Sequence, residues 1–258
     1  MSQPDNRSSM RALMLLNPRL RYHRASIEHP EHIPLSGGAV IVSNHGRLVF
    51  DSFLLLRLLL QSRGRLARLM ADHMWFKLPL TPRIFTDAGA VDGTRENALG
   101  LLGQGELVFT YPGGVREIFG GRFGREHLDW EGRYGFAVVA IRAGVPVIPI
   151  VGRGVNNGLV FLTSGRMLGA LTYRGVFRLG AAYADYRNPL AIGLLPLPLL
   201  MSMVVALPLP CKLTYIVGEP LSPPRPLPGE SEQQLAVRFA GEVEAAMRTL
   251  ISRHGNAS

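Results

Sequence analysis

A chain of 258 residues, 47% hydrophobic and 18% charged, is long enough for a substantial single core and too apolar for a disordered one. Its formal charge of +9 comes from 28 basic residues, of which only Lys77 and Lys212 are lysine; such guanidinium groups suit anionic head groups, phosphorylated substrates or nucleic acid. Cys211 is the one cysteine, which excludes an internal disulfide and any cysteine-based metal cluster.

Residues 1–9 are polar and 10–35 read as an amphipathic N-terminal element that associates with membranes, without the pattern of a cleaved signal peptide. Ala39–Ser43 is a β-branched run expected to form a buried strand, followed by the loop Asn44–Phe50. Ser52–Gln61 predicts a helix apolar nearly all round, and so buried or lipid-facing. Gly89–Asp92 is a short strand or turn, and Thr94 is placed to cap a helix to about Gly103. Leu107–Tyr111 predicts a strand ending at the turn Pro112-Gly113-Gly114, and Gly120–Arg133 a charged loop. Tyr134–Ala143 predicts a helix leading into a strand at Val145–Ile150, whose prolines suit an edge or entry position. A further strand is expected at Leu213–Val217, and Leu235, Phe239, Val243, Met247 and Leu250 recur at helical spacing. Strands alternating with helices indicate an α/β fold with a mixed central sheet flanked by helices. The expected parts are 1–35, a core domain over 36–220, and a C-terminal helix within 221–258 packed on it.

Asn188–Cys211 is an uncharged run between Arg187 and Lys212, long enough to span a bilayer as a helix. Pro189, Pro196, Pro198, Pro208 and Pro210 would interrupt that helix. A broken segment dipping into the interface or lining an apolar groove fits better, with a buried loop and strand close behind.

Two features carry chemistry. His45 directly follows a buried strand, in a loop that ends at Asp51. A histidine base with a carboxylate on its other ring nitrogen is the arrangement that removes a hydroxyl proton. An ordinary loop histidine and a helix-capping aspartate would also explain the pair. The second feature is Tyr111-Pro112-Gly113-Gly114-Val115-Arg116-Glu117, a turn whose backbone N–H groups and arginine suit a phosphate or an oxyanion. A plain turn with a solvated Arg-Glu pair is its bland reading. No histidines stand at zinc-site spacing and no Gly-x-Ser-x-Gly elbow occurs. His73, near Trp75 and Phe76, reads as a satisfied interfacial histidine, and Arg122, Arg125 and Arg133 as part of a solvated loop, with lipid head groups or coenzyme A as their alternative partners.

Together and in this order, these features resemble the glycerol-phosphate and lysophosphatidic-acid acyltransferase superfamily, and within it the branch related to diacylglycerol acyltransferase type 2. The Asn-His-x-x-x-x-Asp signature appears as Asn44-His45 to Asp51, one residue longer. Gly89–Arg95 matches a second block, Tyr111–Arg116 matches Phe-Pro-Glu-Gly-Thr-Arg with Gly113 in place of the glutamate, and Val145–Pro149 matches Val-Pro-hydrophobic-hydrophobic-Pro. The resemblance covers roughly residues 36–220. Both departures occur in the neutral-glyceride branch.

The resemblance implies His45 as general base and Asp51 as its orienting group. Arg95, Gly113, Gly114, Arg116 and Glu117 would contact substrate, the arginines meeting an acceptor phosphate, the phosphates of coenzyme A, or a carboxylate such as Glu117. It implies fatty acyl transfer from acyl-coenzyme A or acyl carrier protein to a mono- or diacylglycerol, with lysophosphatidic acid as the alternative acceptor. Neither a metal nor a cofactor is called for. The implied partners are membrane lipids, acyl-CoA and a glycerolipid acceptor, on the cytoplasmic face of a membrane. A non-catalytic basic protein binding membranes or nucleic acid is the rival; dispersed arginines and long apolar stretches argue against nucleic acid.

Overall fold

The computed structural model describes residues 6–46, 51–76, 85–114, 117, 126, 128–157, 159–161, 206–208 and 210–254. Seven strands form one mixed sheet: β1 (Ser26–Glu28), β2 (Ala39–Ser43), β3 (Ala67–Ala71), β4 (Ala90–Asp92), β5 (Leu107–Thr110), β6 (Val147–Arg153) and β9 (Thr214–Val217). Their order is β1-β9-β6-β2-β5-β3-β4. The neighbours from β6 to β4 run parallel, whereas β9 is antiparallel to β6 and β1 parallel to β9. A second unit, residues 157–210, contributes an antiparallel pair of its own, β7 (Leu159–Phe161) with β8 (Ala206–Pro208). Most of the apolar run Asn188–Cys211 lies outside the described residues. Among those described, no helix is long and apolar enough to cross a membrane.

The central strands are apolar at most positions because both faces of the sheet are covered, with polar residues such as Ser43 and Thr110 at their carboxyl ends. Ala39 and Ile41 of β2 join one core with Leu107 and Phe109, while Val40 and Val42 join the other with Val108. On the first face lie α1 (Asn6–Met14), through Leu13, α2 (Asn17–Tyr22), through Leu20, and α3 (Asp51–Arg63). Five leucines of α3, Leu54, Leu55, Leu56, Leu58 and Leu59, are buried, which settles its all-round apolarity as burial in protein. Each such leucine contributes roughly 1.5–3 kcal/mol. The opposite face carries α4 (Arg95–Gly103), α5 (Gly135–Ala143) and α6 (Glu232–His254). The Thr94 hydroxyl accepts from the Asn97 amide at 3.2 Å, making it the N-cap of α4.

Two expectations are revised. Residues 1–35 supply more than a peripheral element, because β1 takes the sheet edge beside β9, with Ile27 opposite Tyr215. Strand β6 is not at an edge but lies between β9 and β2. Pro146 does sit at its entry, accepting from the Val40 amide at 3.0 Å. Pro149 is interior, and is accommodated because the β9 register ends at Ile150↔Val217, one residue short of it. Its carbonyl still accepts from Gly218, so the missing N–H falls where the ladder is already finishing.

Candidate active site

Strands β2 and β5 are neighbours, yet their chains leave in opposite directions. From β2 the chain crosses by α3 on the first face toward β3, and from β5 by α5 on the other face toward β6. The divergence opens a crevice at the carboxyl ends of the two strands, where open α/β sheets bind their ligands. His45 follows β2 and Tyr111–Gly114 follow β5, so both sequence motifs arrive there.

Asn44 fixes the exit from β2. Its buried side-chain amide donates to the Gly152 carbonyl at 3.0 Å and accepts from the Gly152 amide at 2.8 Å. The side chain therefore extends the β2–β6 pairing one step past Ser43, and the backbone can turn with its polar groups satisfied. Gly46 then passes through a gap with no room for a side chain. A Cβ there would stand 2.4 Å from the Val155 Cβ and 2.9 Å from Asp51 Oδ2.

His45 is half-buried, and its Nδ1 lies 2.9 Å from the Gly46 carbonyl oxygen. A carbonyl only accepts, so Nδ1 carries the proton and Nε2 keeps its lone pair. Burial lowers the imidazole pKa to about 4, the Gly46 carbonyl pulling the other way. The ring is thus a neutral base at pH 7. Tyr111 stacks on it at 4.1 Å between centroids and 27° between planes.

Asp51 is the first residue of α3 and 0% exposed. It shares the corner with His45 but makes no hydrogen bond to the ring. Its Oδ1 accepts a long bond from the Tyr111 hydroxyl at 3.5 Å, and Oδ2 has no donor in bonding geometry. The Tyr215 hydroxyl holds its backbone carbonyl at 3.0 Å. Burial raises its pKa to about 7, against the nearby amides of Ser52 and Gly46 and the Tyr111 hydroxyl. The orienting bond to His45 Nδ1 expected of Asp51 is made by Gly46 instead, because the tight turn brings that carbonyl closer. Asp51 is linked to the ring through Tyr111, which touches both.

Glu117 is also 0% exposed, and it faces the chain rather than open space. Its Oε2 accepts from the His45 amide at 2.8 Å and its Oε1 from the Asp129 amide at 3.0 Å. Burial raises this carboxyl to about 7. With both oxygens on backbone amides, Glu117 is neither an ion-pair partner of Arg95 nor turned toward a substrate.

The Pro112–Gly114 turn is closed by the Gly114 amide on the Tyr111 carbonyl at 3.1 Å, which commits one of the two expected oxyanion donors. The Gly113 amide has no partner among the described residues and is the donor left. Arg133 clamps the turn from outside, Nη1 donating to the carbonyls of Gly113 at 2.9 Å and Pro112 at 3.3 Å. Arg95, exposed on the first turn of α4, lines a cavity of about 270 Å³ with Arg133, Thr110, Tyr111 and Phe136. Arg116 lies outside the described residues, as do Arg122, Arg125 and the 47–50 loop. His73 pairs with Asp92, Nδ1 to Oδ2 at 2.6 Å, on the solvent side of β3 and β4.

The sequence suggests no role for Asn44 or Tyr111, and its reading of Arg133 as a solvated loop residue is corrected by the clamp on the turn. The first two were visible as the residues that open the two motifs. The Arg133 contact depends on the fold of a loop and leaves no local signal.

The family model Acyltransferase matches residues 24–153. The chain belongs to the acyltransferase family. Two relatives extend the comparison. A human protein, "DGAT1/2-independent enzyme synthesizing storage lipids", is 29% identical over 235 residues, 90% of this chain and 62% of that protein. An uncharacterised protein of Mycobacterium tuberculosis is 32% identical over 195 residues, 71% of this chain and 53% of its own length. The chain thus spans about 62% of the human relative. Among solved structures, the 1-acyl-sn-glycerophosphate acyltransferase PlsC from Thermotoga maritima aligns with a TM-score of 0.56 at 17% identity, over 96% of this chain and 81% of that one. The α/β sandwich described above is the acyltransferase fold of that family.

Proposed function

We propose that this acyltransferase moves a fatty acyl group from acyl-coenzyme A, or from acyl carrier protein, to the hydroxyl of a mono- or diacylglycerol. The observation that carries the reading is His45, a neutral imidazole with Nδ1 satisfied and Nε2 without a partner among the described residues, at the β2–β5 crevice of an acyltransferase fold.

As the acceptor oxygen attacks the thioester carbonyl, Nε2 takes its proton and a tetrahedral oxyanion forms. The Gly113 amide is the local donor for that oxyanion. The π-face of Tyr111 and the charge of Asp51 stabilise the imidazolium. Collapse breaks the carbon–sulfur bond, the thiolate takes the proton back from Nε2, and ester and free thiol result. No step calls on a metal, a cofactor or an acyl-enzyme.

The neutral acceptor is favoured by Gly113 in place of the glutamate of the phosphate-acceptor pattern, and by the human relative's name as an enzyme synthesizing storage lipids. Lysophosphatidic acid is the second reading, supported by Arg95 and Arg133 on one cavity. Location at the cytoplasmic face of a membrane is supported by Met14, Leu15 and Tyr22, exposed at 53%, 79% and 48% beside exposed Arg11, Arg19 and Arg21. Purified protein given radiolabelled acyl-CoA and a panel of acceptors, with products separated by thin-layer chromatography, tests the reading. Label in di- or triacylglycerol, lost in His45→Ala, is the expected result. Acylation of phosphate-bearing acceptors alone would overturn the neutral-lipid reading, and near-normal turnover by His45→Ala would overturn the mechanism.

A further inference from the structure

The His45 amide sits just beyond the end of β2, where the ladder no longer supplies an acceptor. An inward-facing amide in that position costs stability unless something accepts from it. Glu117 does, at 2.8 Å, while its other oxygen reaches across to the Asp129 amide at 3.0 Å. No salt bridge to Glu117 occurs among the described residues. The Arg133 charge partly offsets its burial without closing an ion pair, and a fully buried carboxyl lacking one is costly, so a fold that retains one is using its two acceptors. They tie the residue proposed to do the chemistry to a loop on the far side of the Pro-Gly-Gly turn.

Gly113 makes the seat available. A Cβ at that position would lie 2.2 Å from the Glu117 Cδ and 2.3 Å from its Cγ, contacts no real atom tolerates. A side chain at position 113 and the Glu117 carboxyl in its observed place exclude one another. The two positions therefore act as one device: the glycine leaves a space and the glutamate fills it, with its oxygens on His45 and Asp129.

We infer that Glu117 is the positioning residue of the site, its carboxyl seated in the space left by Gly113 to hold the His45 backbone and fix where Nε2 points. The kinetic consequence rests on the acyltransferase reading; the anchoring itself does not. Displacement of a base by about 1 Å costs up to about a hundredfold in rate. Glu117→Gln keeps the shape but loses one acceptor, and Gly113→Ala keeps the glutamate but evicts it.

Two measurements on the purified full chain test this. Kinetics with acyl-CoA and the best acceptor should show kcat lowered roughly ten- to a hundredfold in both variants. KM for each substrate should stay within about twofold. Amide hydrogen exchange followed by NMR should show the His45 and Asp129 amides exchanging about tenfold faster or more in Gly113→Ala, at least one of them doing so in Glu117→Gln, with the Gly152 amide unchanged. Wild-type kcat per folded molecule in both variants, or a loss confined to KM, overturns the positioning role. Unchanged exchange at His45 in Gly113→Ala overturns the anchor. If the wild-type protein transfers no acyl group, the functional reading falls and exchange alone decides the anchor. If neither variant folds, Glu117 is a fold element and the inference fails.

Discussion

The Tyr111 ring lies flat over the His45 imidazole, 4.1 Å away, and its hydroxyl points to the Asp51 carboxyl at 3.5 Å. One side chain thus touches both members of the motif that the Asn-His…Asp spacing brings to the site. Burial holds its phenol well above the usual range, so it stays a neutral donor with an electron-rich face. The stack favours the imidazolium that forms when Nε2 takes a proton.

Two substitutions separate these contacts. Tyr111→Phe keeps the stack and removes a long hydrogen bond, so kcat should fall no more than about threefold. Tyr111→Leu removes the aromatic face, and a cation–π contribution of about 1–2 kcal/mol corresponds to roughly five- to thirtyfold in kcat. Steady-state kinetics of both variants check the ordering, and equal losses would show that the stack does nothing for the base.

The pH dependence of turnover distinguishes the roles of His45 and Asp51. His45, lowered to about 4, is a competent base throughout the neutral range. Asp51, raised to about 7, becomes anionic only as pH rises through that value. If its charge assists the imidazolium, kcat rises with pH and levels off above an apparent pKa near 7 that belongs to the coupled corner. Asp51→Asn should lower the plateau, by less than His45→Ala does, and move the acid limb down toward the value for His45. A wild-type limb near 4 would show that Asp51 contributes no charge.

Much of this site is legible in sequence, because its residues lie in the two short strings 44–51 and 111–117. The strands around it were legible too, since an apolar run ending in a polar or glycine-rich break signals a buried parallel strand. What sequence hides is direction. Nothing local says that the His45 Nδ1 turns to its neighbour Gly46 rather than to Asp51, or that Glu117 points inward to backbone amides. Those choices follow from the room left at Gly46 and Gly113, which depends on Val155 and on the glutamate itself. Pro149 misleads for a similar reason: whether its missing N–H matters depends on where a strand some seventy residues later stops pairing.

The C-terminal helix is an integral part of the fold. Phe239 and Val243 of α6 are 0% exposed and join the core that also holds Ala137 and Ala140 of α5 and Val151 of β6. Phe239→Ala should cost about 3–5 kcal/mol, and urea unfolding followed by circular dichroism measures it. Phe239 does not line the cavity that holds Arg95 and Arg133, so kcat of the protein still folded should be unchanged. A cost below about 1 kcal/mol would mean that α6 is only loosely docked.

Stability should depend on pH through the two buried carboxyls, with a sign opposite to that of ordinary surface pairs. Glu117 has a pKa of about 7 in the folded chain against 4.5 as the ordinary value, so between these limits the folded state holds a proton that the unfolded state has released. Its contribution is complete below about 4.5 and is lost as pH rises through about 7. Asp51 behaves the same way, from 3.8 to about 7. His45 opposes both: lowered from 6.5 to about 4, its contribution is present above 6.5 and is lost as pH falls toward 4. A comparison with Glu117→Gln, which cannot ionise there, isolates one carboxyl from these opposing groups. Wild-type stability should fall between about pH 5 and pH 8 by roughly 3 kcal/mol more than that of the variant. Urea unfolding of both proteins across that range measures the difference. Parallel curves would show that Glu117 ionises as freely in the folded chain as in water, and that its two amide bonds offset its burial.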